Sequence, residues 1–211
     1  MKKLGFGCMR LPHTGDKPDL DQFNQMADLF LAEGFTYFDT STFYGDSETM
    51  LRKCLTSRHP RESYLFTNKL TEGLFKKEAD LPGVFQKQLE TCGVDYFDTY
   101  LLHAISFKNY QKFLDCHTFA FIRRLKAEGK ARRIGLSFHD NAALLEEILR
   151  DHPEIEVVQI QFNYVDYENP SVEGKACYDV CRKYGKPVIV MEPVLGGALA
   201  DPPQEAKAVL D

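Results

Sequence analysis

The sequence predicts an α/β protein built on a parallel (β/α)8 barrel of the TIM type, here incomplete with about seven strands. Short apolar runs alternate with amphipathic helical patterns, and a glycine or a turn separates each helical pattern from the run after it. The runs recur at intervals of roughly 30 residues, the length of a βα unit. Such alternation indicates parallel strands, in a barrel or in an open doubly wound sheet. Polar residues follow nearly every strand, and neither a GxGxxG motif nor a Walker loop is present, which favours the barrel.

Seven strands are predicted from the apolar runs, at residues 4–8, 35–38, 64–67, 97–102, 133–136, 155–160 and 188–191. Six helices separate them and cover about 23–31, 47–55, 81–92, 121–125, 144–149 and 172–181. The first helix is predicted to begin at Asp19, a typical N-cap residue that is followed three residues later by Gln22. It is predicted to end at Gly34. A last helical stretch covers 204–210, and no eighth strand follows it. We therefore predict a single barrel domain over residues 1–211 that lacks the last βα unit.

Composition and charge narrow the range of partners. Lys and Arg number 26 against 31 Asp and Glu, for a formal net charge of -5, and the basic residues are scattered. This disfavours nucleic acid, so we expect a small-molecule ligand. No stretch approaches the roughly 18 apolar residues of a membrane span, and residues 1–10 lack the apolar core of a signal peptide. We expect a cytoplasmic protein without a membrane partner.

The cysteine pattern predicts buried, reduced thiols. None of the six cysteines belongs to a CxxC pair, and most lie in apolar periodic segments. Cys177 and Cys181 would share a helix face, but no further His or Cys pair is placed to complete a metal site. We therefore assign no metal.

Four residues with proton-transfer chemistry stand at the carboxyl ends of predicted strands. Asp39 comes at the end of the second strand and Tyr44 lies in the loop after it, while Lys69 and His103 follow the third and fourth strands. In a parallel barrel all these ends open onto one face, so the four side chains are expected to meet.

Together these four side chains can donate a proton. A nearby ammonium stabilises the phenolate of Tyr44, and a carboxylate such as Asp39 keeps the Lys69 ammonium charged and in place. Tyr44 could then protonate a developing alkoxide, and His103 could orient the carbonyl group. Each residue could instead have a structural role. Asp39 could cap a turn, Tyr44 could be a surface aromatic residue, Lys69 a solvated charge and His103 a core histidine. Their combination favours the catalytic interpretation.

Five short motifs follow one another along the chain at the spacing of barrel strands. They are Phe38-Asp39-Thr40 with Tyr44-Gly45 and Ser47-Glu48, Thr67-Asn68-Lys69, Leu101-Leu102-His103, Ile134-Gly135-Leu136-Ser137 and Val158-Gln159-Ile160. In these motifs the chain resembles the aldo-keto reductase superfamily, from Leu4 to about Leu199. This resemblance implies NADPH-dependent reduction of an aldehyde or ketone, with NADH as the alternative cofactor. It makes Tyr44 the acid, Lys69 and Asp39 its tuning pair, and His103 the orienting group.

The resemblance also implies a set of cofactor-binding residues. Ser137 and Gln159 are expected to hold the nicotinamide carboxamide, and both are polar residues at or inside strand ends that need hydrogen-bond partners when buried. The full candidate set is Met9, Asp39, Ser137, Gln159, Met191 and Glu192.

Two segments differ from many members of the family. Phe138-His139-Asp140 follows Ser137, and Met191-Glu192-Pro193-Val194 ends the seventh strand, where many members have a stacking Tyr. A polarizable Met can still pack on the nicotinamide ring. With Gly196-Gly197, these segments resemble a bacterial branch whose longer members end in a ferredoxin-like iron-sulfur segment, and no such cysteine cluster occurs in this sequence.

The lack of an eighth strand leads to further expectations. In the family, the residues after that strand clamp the extra phosphate of NADPH, so we expect weak cofactor binding. Open barrel edges favour a homo-oligomer. Three hypotheses therefore remain: a carbonyl reductase, a non-catalytic barrel fragment, and a lyase or isomerase that uses Lys69 as a Schiff-base amine.

Overall fold

The computed structural model describes residues 2–201 and residue 207. The strands are β1 (Gly5–Gly7), β2 (His13–Thr14), β3 (Lys17–Pro18), β4 (Tyr37–Asp39), β5 (Leu65–Thr71), β6 (Phe97–Ile105), β7 (Ala131–Phe138), β8 (Val157–Gln161) and β9 (Val188–Met191). Seven of them form one sheet in the order β1-β4-β5-β6-β7-β8-β9, and β2 pairs with β3 in an antiparallel hairpin. The seven strands correspond to the seven predicted ones. The hairpin was not predicted, because its two-residue strands carry no period-2 apolar pattern.

Seven α-helices lie between these strands in the described part of the chain. They are α1 (Leu20–Ala32), α2 (Ser47–Leu51), α3 (Leu81–Cys92), α4 (Phe107–Asp115), α5 (Thr118–Ala127), α6 (Ala142–Asp151) and α7 (Gly174–Lys183). Six correspond to predicted helices, and a π-helical turn over Arg52–Thr56 extends α2. The prediction of only six helices was wrong. The apolar residues of α4 do have helical spacing, but α4 and α5 follow each other between the same two strands, where a single helix was expected.

The chain divides into two compact units, residues 1–136 and 137–211. In the first unit β1 pairs with β4, β4 with β5, and β5 with β6, all in parallel. Helix α1 begins as predicted, since the Asp19 carboxylate accepts a hydrogen bond from the Gln22 amide. Phe6 stacks on Phe38, with ring centroids 5.5 Å apart, and both rings contact Phe30 of α1. This aromatic contact fixes the start of the sheet against its first helix.

The second unit contains α6, α7, β8 and β9, and β7 carries the chain into it. Strands β8 and β9 pair in parallel, with Gln159 opposite Ile189. Helix α6 is capped by Asn141, whose side chain accepts a hydrogen bond from the Leu144 amide. The predicted helix over 204–210 lies outside the described residues, apart from residue 207.

The burial of the cysteines agrees with the sequence prediction. All six are buried free thiols: Cys8, Cys54, Cys92, Cys116, Cys177 and Cys181. Burial raises the pKa of Cys177 and of Cys181 to about 12, so both stay protonated at neutral pH. Among the described helices, none has the length and apolarity that a membrane crossing requires.

Candidate active site

Strand register brings the predicted proton-transfer residues together within the first unit. Asp39 is the last residue of β4 and pairs with Thr67, two residues before Lys69 on β5. His103 of β6 pairs with Thr71, two residues after Lys69. Lys69 and His103 therefore lie inside their strands, and the prediction that they follow them was wrong. The strands are longer than predicted because polar residues continue their hydrogen-bonded ladders.

The Lys69 ammonium is the centre of this cluster and is completely buried. It forms a salt bridge with the Asp39 carboxylate and donates to the Thr40 carbonyl oxygen at 2.9 Å and to the Tyr44 hydroxyl at 3.3 Å. Burial alone would lower the pKa of Lys69, but the Asp39 carboxylate and the Tyr44 phenol together offset this and raise the pKa above its ordinary value. Lys69 therefore stays charged at neutral pH.

Tyr44 stands on a tight turn that presents its hydroxyl to Lys69. The Tyr44 amide donates to the Ser41 carbonyl at 2.9 Å, and Gly45 follows with a positive φ of 60°. Burial raises the pKa of Tyr44, and the Lys69 charge opposes that increase without cancelling it. As expected, the Lys69 ammonium lowers the pKa of Tyr44 and so favours the phenolate. Burial has the larger effect, and the phenol therefore stays protonated at neutral pH.

His103 connects the phenol to two hydroxyl groups. Its Nδ1 lies 2.7 Å from Thr71 Oγ1 and 3.1 Å from Ser41 Oγ, while its Nε2 lies 3.5 Å from the Tyr44 hydroxyl. The rings of Tyr44 and His103 meet nearly at right angles, with centroids 5.7 Å apart. The imidazole is thus held from one side by side-chain hydroxyls and faces Tyr44 with the other.

A buried polar network supports the site and was only partly visible in the sequence. Glu48 accepts hydrogen bonds from Asn68 at 2.7 Å and from Thr42 at 3.0 Å. Gln88 of α3 donates to the Lys69 carbonyl at 2.8 Å and accepts from Tyr100. The network fixes the backbone that carries Lys69. A polar Gln88 within the apolar stripe of α3 was the sequence signal that could have revealed it.

An open groove of about 530 Å³ adjoins the phenol in the first unit. The residues that line it are Cys8, Met9, Arg10, Leu11, His13, Phe43, Tyr44, Gly45 and Asp46. The candidate cofactor residue Met9 is thus in the same groove as Tyr44, with 53% of its surface exposed. Tyr44 is half-buried and lines this groove, so its side chain is accessible from solvent.

Four of the six candidate cofactor residues belong to the second unit, whereas Met9 and Asp39 belong to the first. Ser137 lies in β7 and Gln159 in β8, and both are buried. Among the described residues, the Ser137 hydroxyl is buried without a hydrogen-bond partner. Met191 ends β9, and Glu192 follows it with a positive φ of 55°. A side chain that is buried but lacks a partner in the protein is suited to a ligand that supplies one.

The sequence comparison decides the family. A model of the aldo/keto reductase family matches residues 3–209. This chain belongs to that family. A glyoxal reductase of Bacillus subtilis is 30% identical to this aldo/keto reductase chain over 171 residues, which cover 81% of the chain and 58% of that protein. The chain therefore spans less than two thirds of the length of this relative.

Solved structures show the same fold. An aldo-keto reductase from Bacillus halodurans, in its holo form, has a TM-score of 0.74 at 24% identity. The match covers 95% of this chain and 65% of the Bacillus halodurans chain. An aldo/keto reductase from Klebsiella pneumoniae, in complex with NADP and acetate, has a TM-score of 0.72 at 22% identity. The match covers 94% of this chain and 67% of the Klebsiella chain. The predicted fold class, an incomplete (β/α)8 barrel, and the predicted family are confirmed. The resemblance to the ferredoxin-like branch stays a prediction.

Proposed function

We propose that this aldo/keto reductase reduces an aldehyde or ketone with NADPH and that Tyr44 donates the proton. The observation that carries the proposal is the placement of the Tyr44 hydroxyl, 3.3 Å from the buried Lys69 ammonium and at the edge of an open groove. A carbonyl oxygen that enters the groove meets the Tyr44 phenol. When this phenol loses its proton, the nearby Lys69 ammonium stabilises the phenolate. Geometry of this kind stabilises the charge that develops during proton transfer.

The proton-transfer step follows from these residues. As the carbonyl carbon gains a hydride, the oxygen becomes an alkoxide and takes the proton from the Tyr44 hydroxyl. The resulting phenolate is stabilised by Lys69, whose charge the Asp39 carboxylate maintains. The raised pKa of Tyr44 keeps its proton in place until the alkoxide forms. His103, held by Thr71 and Ser41, is placed to orient the carbonyl oxygen and to return a proton to Tyr44.

The second unit provides residues that fit the cofactor. The unpartnered Ser137 hydroxyl can pair with a carboxamide, which has both donors and acceptors, and Gln159 adds an amide of the same type. Met191 offers a polarizable surface for an aromatic ring, while Met9, Asp39 and Glu192 complete the proposed set. When bound, NADPH supplies the hydride for the carbonyl carbon. The Klebsiella pneumoniae structure holds NADP, which supports this cofactor.

The environment of Lys69 argues against Schiff-base chemistry. A Schiff base requires a neutral amine with an open path to a carbonyl carbon. Here the Lys69 ammonium has three oxygen partners, no exposed surface and a raised pKa. The lyase or isomerase hypothesis is therefore disfavoured, and Lys69 is better suited to stabilise the Tyr44 phenolate.

Replacing Tyr44 by Phe tests the proton donor directly. We expect Tyr44→Phe to lower kcat for reduction of 4-formylbenzamide by about a thousandfold, because removal of a catalytic acid costs roughly 10²–10⁴-fold in rate. The measurement is NADPH consumption followed by absorbance. The cofactor Kd, measured by nicotinamide fluorescence, should change little.

A matched control is available at Tyr64, which is buried in the same unit and packs its ring against Phe66. Tyr64→Phe removes a phenol hydroxyl outside the site and should keep the turnover. Equal kcat values for the unaltered chain and Tyr44→Phe would refute Tyr44 as the donor. Borohydride trapping of a carbonyl compound on Lys69 would instead favour the Schiff-base hypothesis.

A further inference from the structure

The groove beside Tyr44 contains a positive charge that the proton-transfer mechanism does not use. Arg10 ends a short 3-10 turn over Cys8–Arg10 and is exposed. Nine described residues line the groove, and within this set Arg10 is the cation that forms neither a hydrogen bond nor an ion pair. A guanidinium in an open groove is suited to bind a carboxylate or phosphate through parallel hydrogen bonds.

The other charged groups of the groove are already paired. Asp46, at the start of α2, faces His13 of the hairpin, with Asp46 Oδ2 3.1 Å from His13 Nε2. His13 Nδ1 lies 2.9 Å from the Leu11 carbonyl oxygen. Because the Asp46 carboxylate already has a partner, it competes little for Arg10. The charge left for a ligand in this groove is positive.

Apolar side chains flank this charge. Met9 and Phe43 expose 53% and 57% of their surfaces at the groove. The Phe43 ring rests on Gly73, where an added Cβ would come within 2.6 Å of the ring. Phe43 is therefore supported from behind, and the groove combines two apolar side chains with one free cation. This combination suits a small organic anion better than a neutral polyol.

We propose that the groove selects carbonyl substrates that carry a carboxylate, which Arg10 binds while the carbonyl oxygen meets Tyr44. The proposal rests on the proposed reductase function and adds a substrate class to it. Arg10 would act in substrate selection, because it binds the anionic group of the substrate and takes no part in the proton transfer. Phosphates of the cofactor share this anion chemistry, so the test must separate the two sources.

Two matched aldehydes test the selection. 4-Formylbenzoate and 4-formylbenzamide have nearly the same shape and differ by one negative charge. We expect the ratio of their kcat/KM values, benzoate over amide, to fall about tenfold in Arg10→Gln, because a charge-assisted bidentate contact is lost. Arg10→Lys should retain part of the ratio. Arg133, also exposed and not a lining residue of the groove, offers the control Arg133→Gln, which should keep the ratio.

Binding measurements make the result independent of turnover. Calorimetric titration with 4-formylbenzoate should give a Kd about tenfold higher for Arg10→Gln than for Arg133→Gln. An unchanged ratio together with an unchanged Kd would overturn the proposal. It would also be overturned if Arg10→Gln weakened only NADPH binding, since Arg10 would then contact the cofactor phosphates. If the reductase function itself fails, the unaltered chain reduces neither aldehyde, whereas the benzoate titration still reports on Arg10.

Discussion

In the unit of residues 1–136 the buried Lys69 ammonium has three oxygen partners, whereas in the unit of residues 137–211 the buried Ser137 hydroxyl has no partner among the described residues. A buried charge without partners is too costly to persist, so the first unit must complete its polar contacts through folding alone. A neutral hydroxyl costs far less when unpaired, and its contact can be left to a ligand. The first unit thus holds a charged cluster whose contacts folding completes, and the second holds a hydroxyl whose contact is left for a ligand.

The largest effect should come from breaking the ion pair of the first unit. Lys69→Met leaves the Asp39 carboxylate, whose side chain is 12% exposed, without its cation. We expect a loss of about 3 kcal/mol or more in the free energy of unfolding, together with loss of reduction. Urea unfolding measures the stability change. Lys87→Met on the exposed side of α3 is the control, and equal losses in both variants would contradict the special role of the ion pair.

Two buried serines sharpen the comparison between the units. Ser47 and Ser137 are each 1% exposed, but the Ser47 hydroxyl lies 2.6 Å from Thr40 Oγ1 while that of Ser137 is unpartnered. Ser47→Ala should cost about 1 kcal/mol of stability, and Ser137→Ala should cost nothing or be slightly stabilising. Ser137→Ala should instead raise the Kd for NADPH about fivefold, measured by fluorescence titration. A stability loss at Ser137 as large as at Ser47 would refute the difference between the units.

The smallest effect concerns the hairpin of the first unit. The Leu11 carbonyl and the Asp46 carboxylate raise the pKa of His13 above 6.5, so the protonated form is favoured in the folded chain. Its contribution to stability is therefore present below pH 6.5 and is lost as the pH rises through the folded pKa. Thermal unfolding at several pH values should show this dependence, with a small amplitude because His13 is exposed, and His13→Gln should remove it. If the stability of His13→Gln still depends on pH in this range, the dependence belongs to another group.

The periodic parts of the fold were predictable. Each of the seven strands corresponds to an apolar run, and Asp19 caps α1 because local hydrogen bonding decides such positions. The hairpin was not predictable, since its two-residue strands carry no apolar period. Helix α4 was missed although its apolar residues have helical spacing, because one helix was expected between β6 and β7 and the chain forms two there. The division into two compact units also has no local signature, because it depends on contacts between residues far apart in sequence.

The candidate site was predictable to a similar extent. Asp39, Tyr44, Lys69 and His103 were expected to meet because the carboxyl ends of parallel strands share one face. Their distances follow from the register that places His103 beside Thr71, and a one-residue shift would turn His103 to the other face of the sheet. Their catalytic roles, and the cofactor roles of Met9, Ser137, Gln159, Met191 and Glu192, stay proposals that the experiments above decide.

The sequence by itself determined the order of the seven sheet strands, the family and the residue types that can carry proton chemistry, because these depend on periodicity and on motifs within short stretches. Only the tertiary structure decided how those residues are charged and paired. Burial raises the pKa of Tyr44, the Asp39 carboxylate keeps the buried Lys69 charged, and Arg10 is left free in the groove beside the phenol. Desolvation and ion pairing act between groups that are distant in sequence, so they follow from the folded arrangement alone.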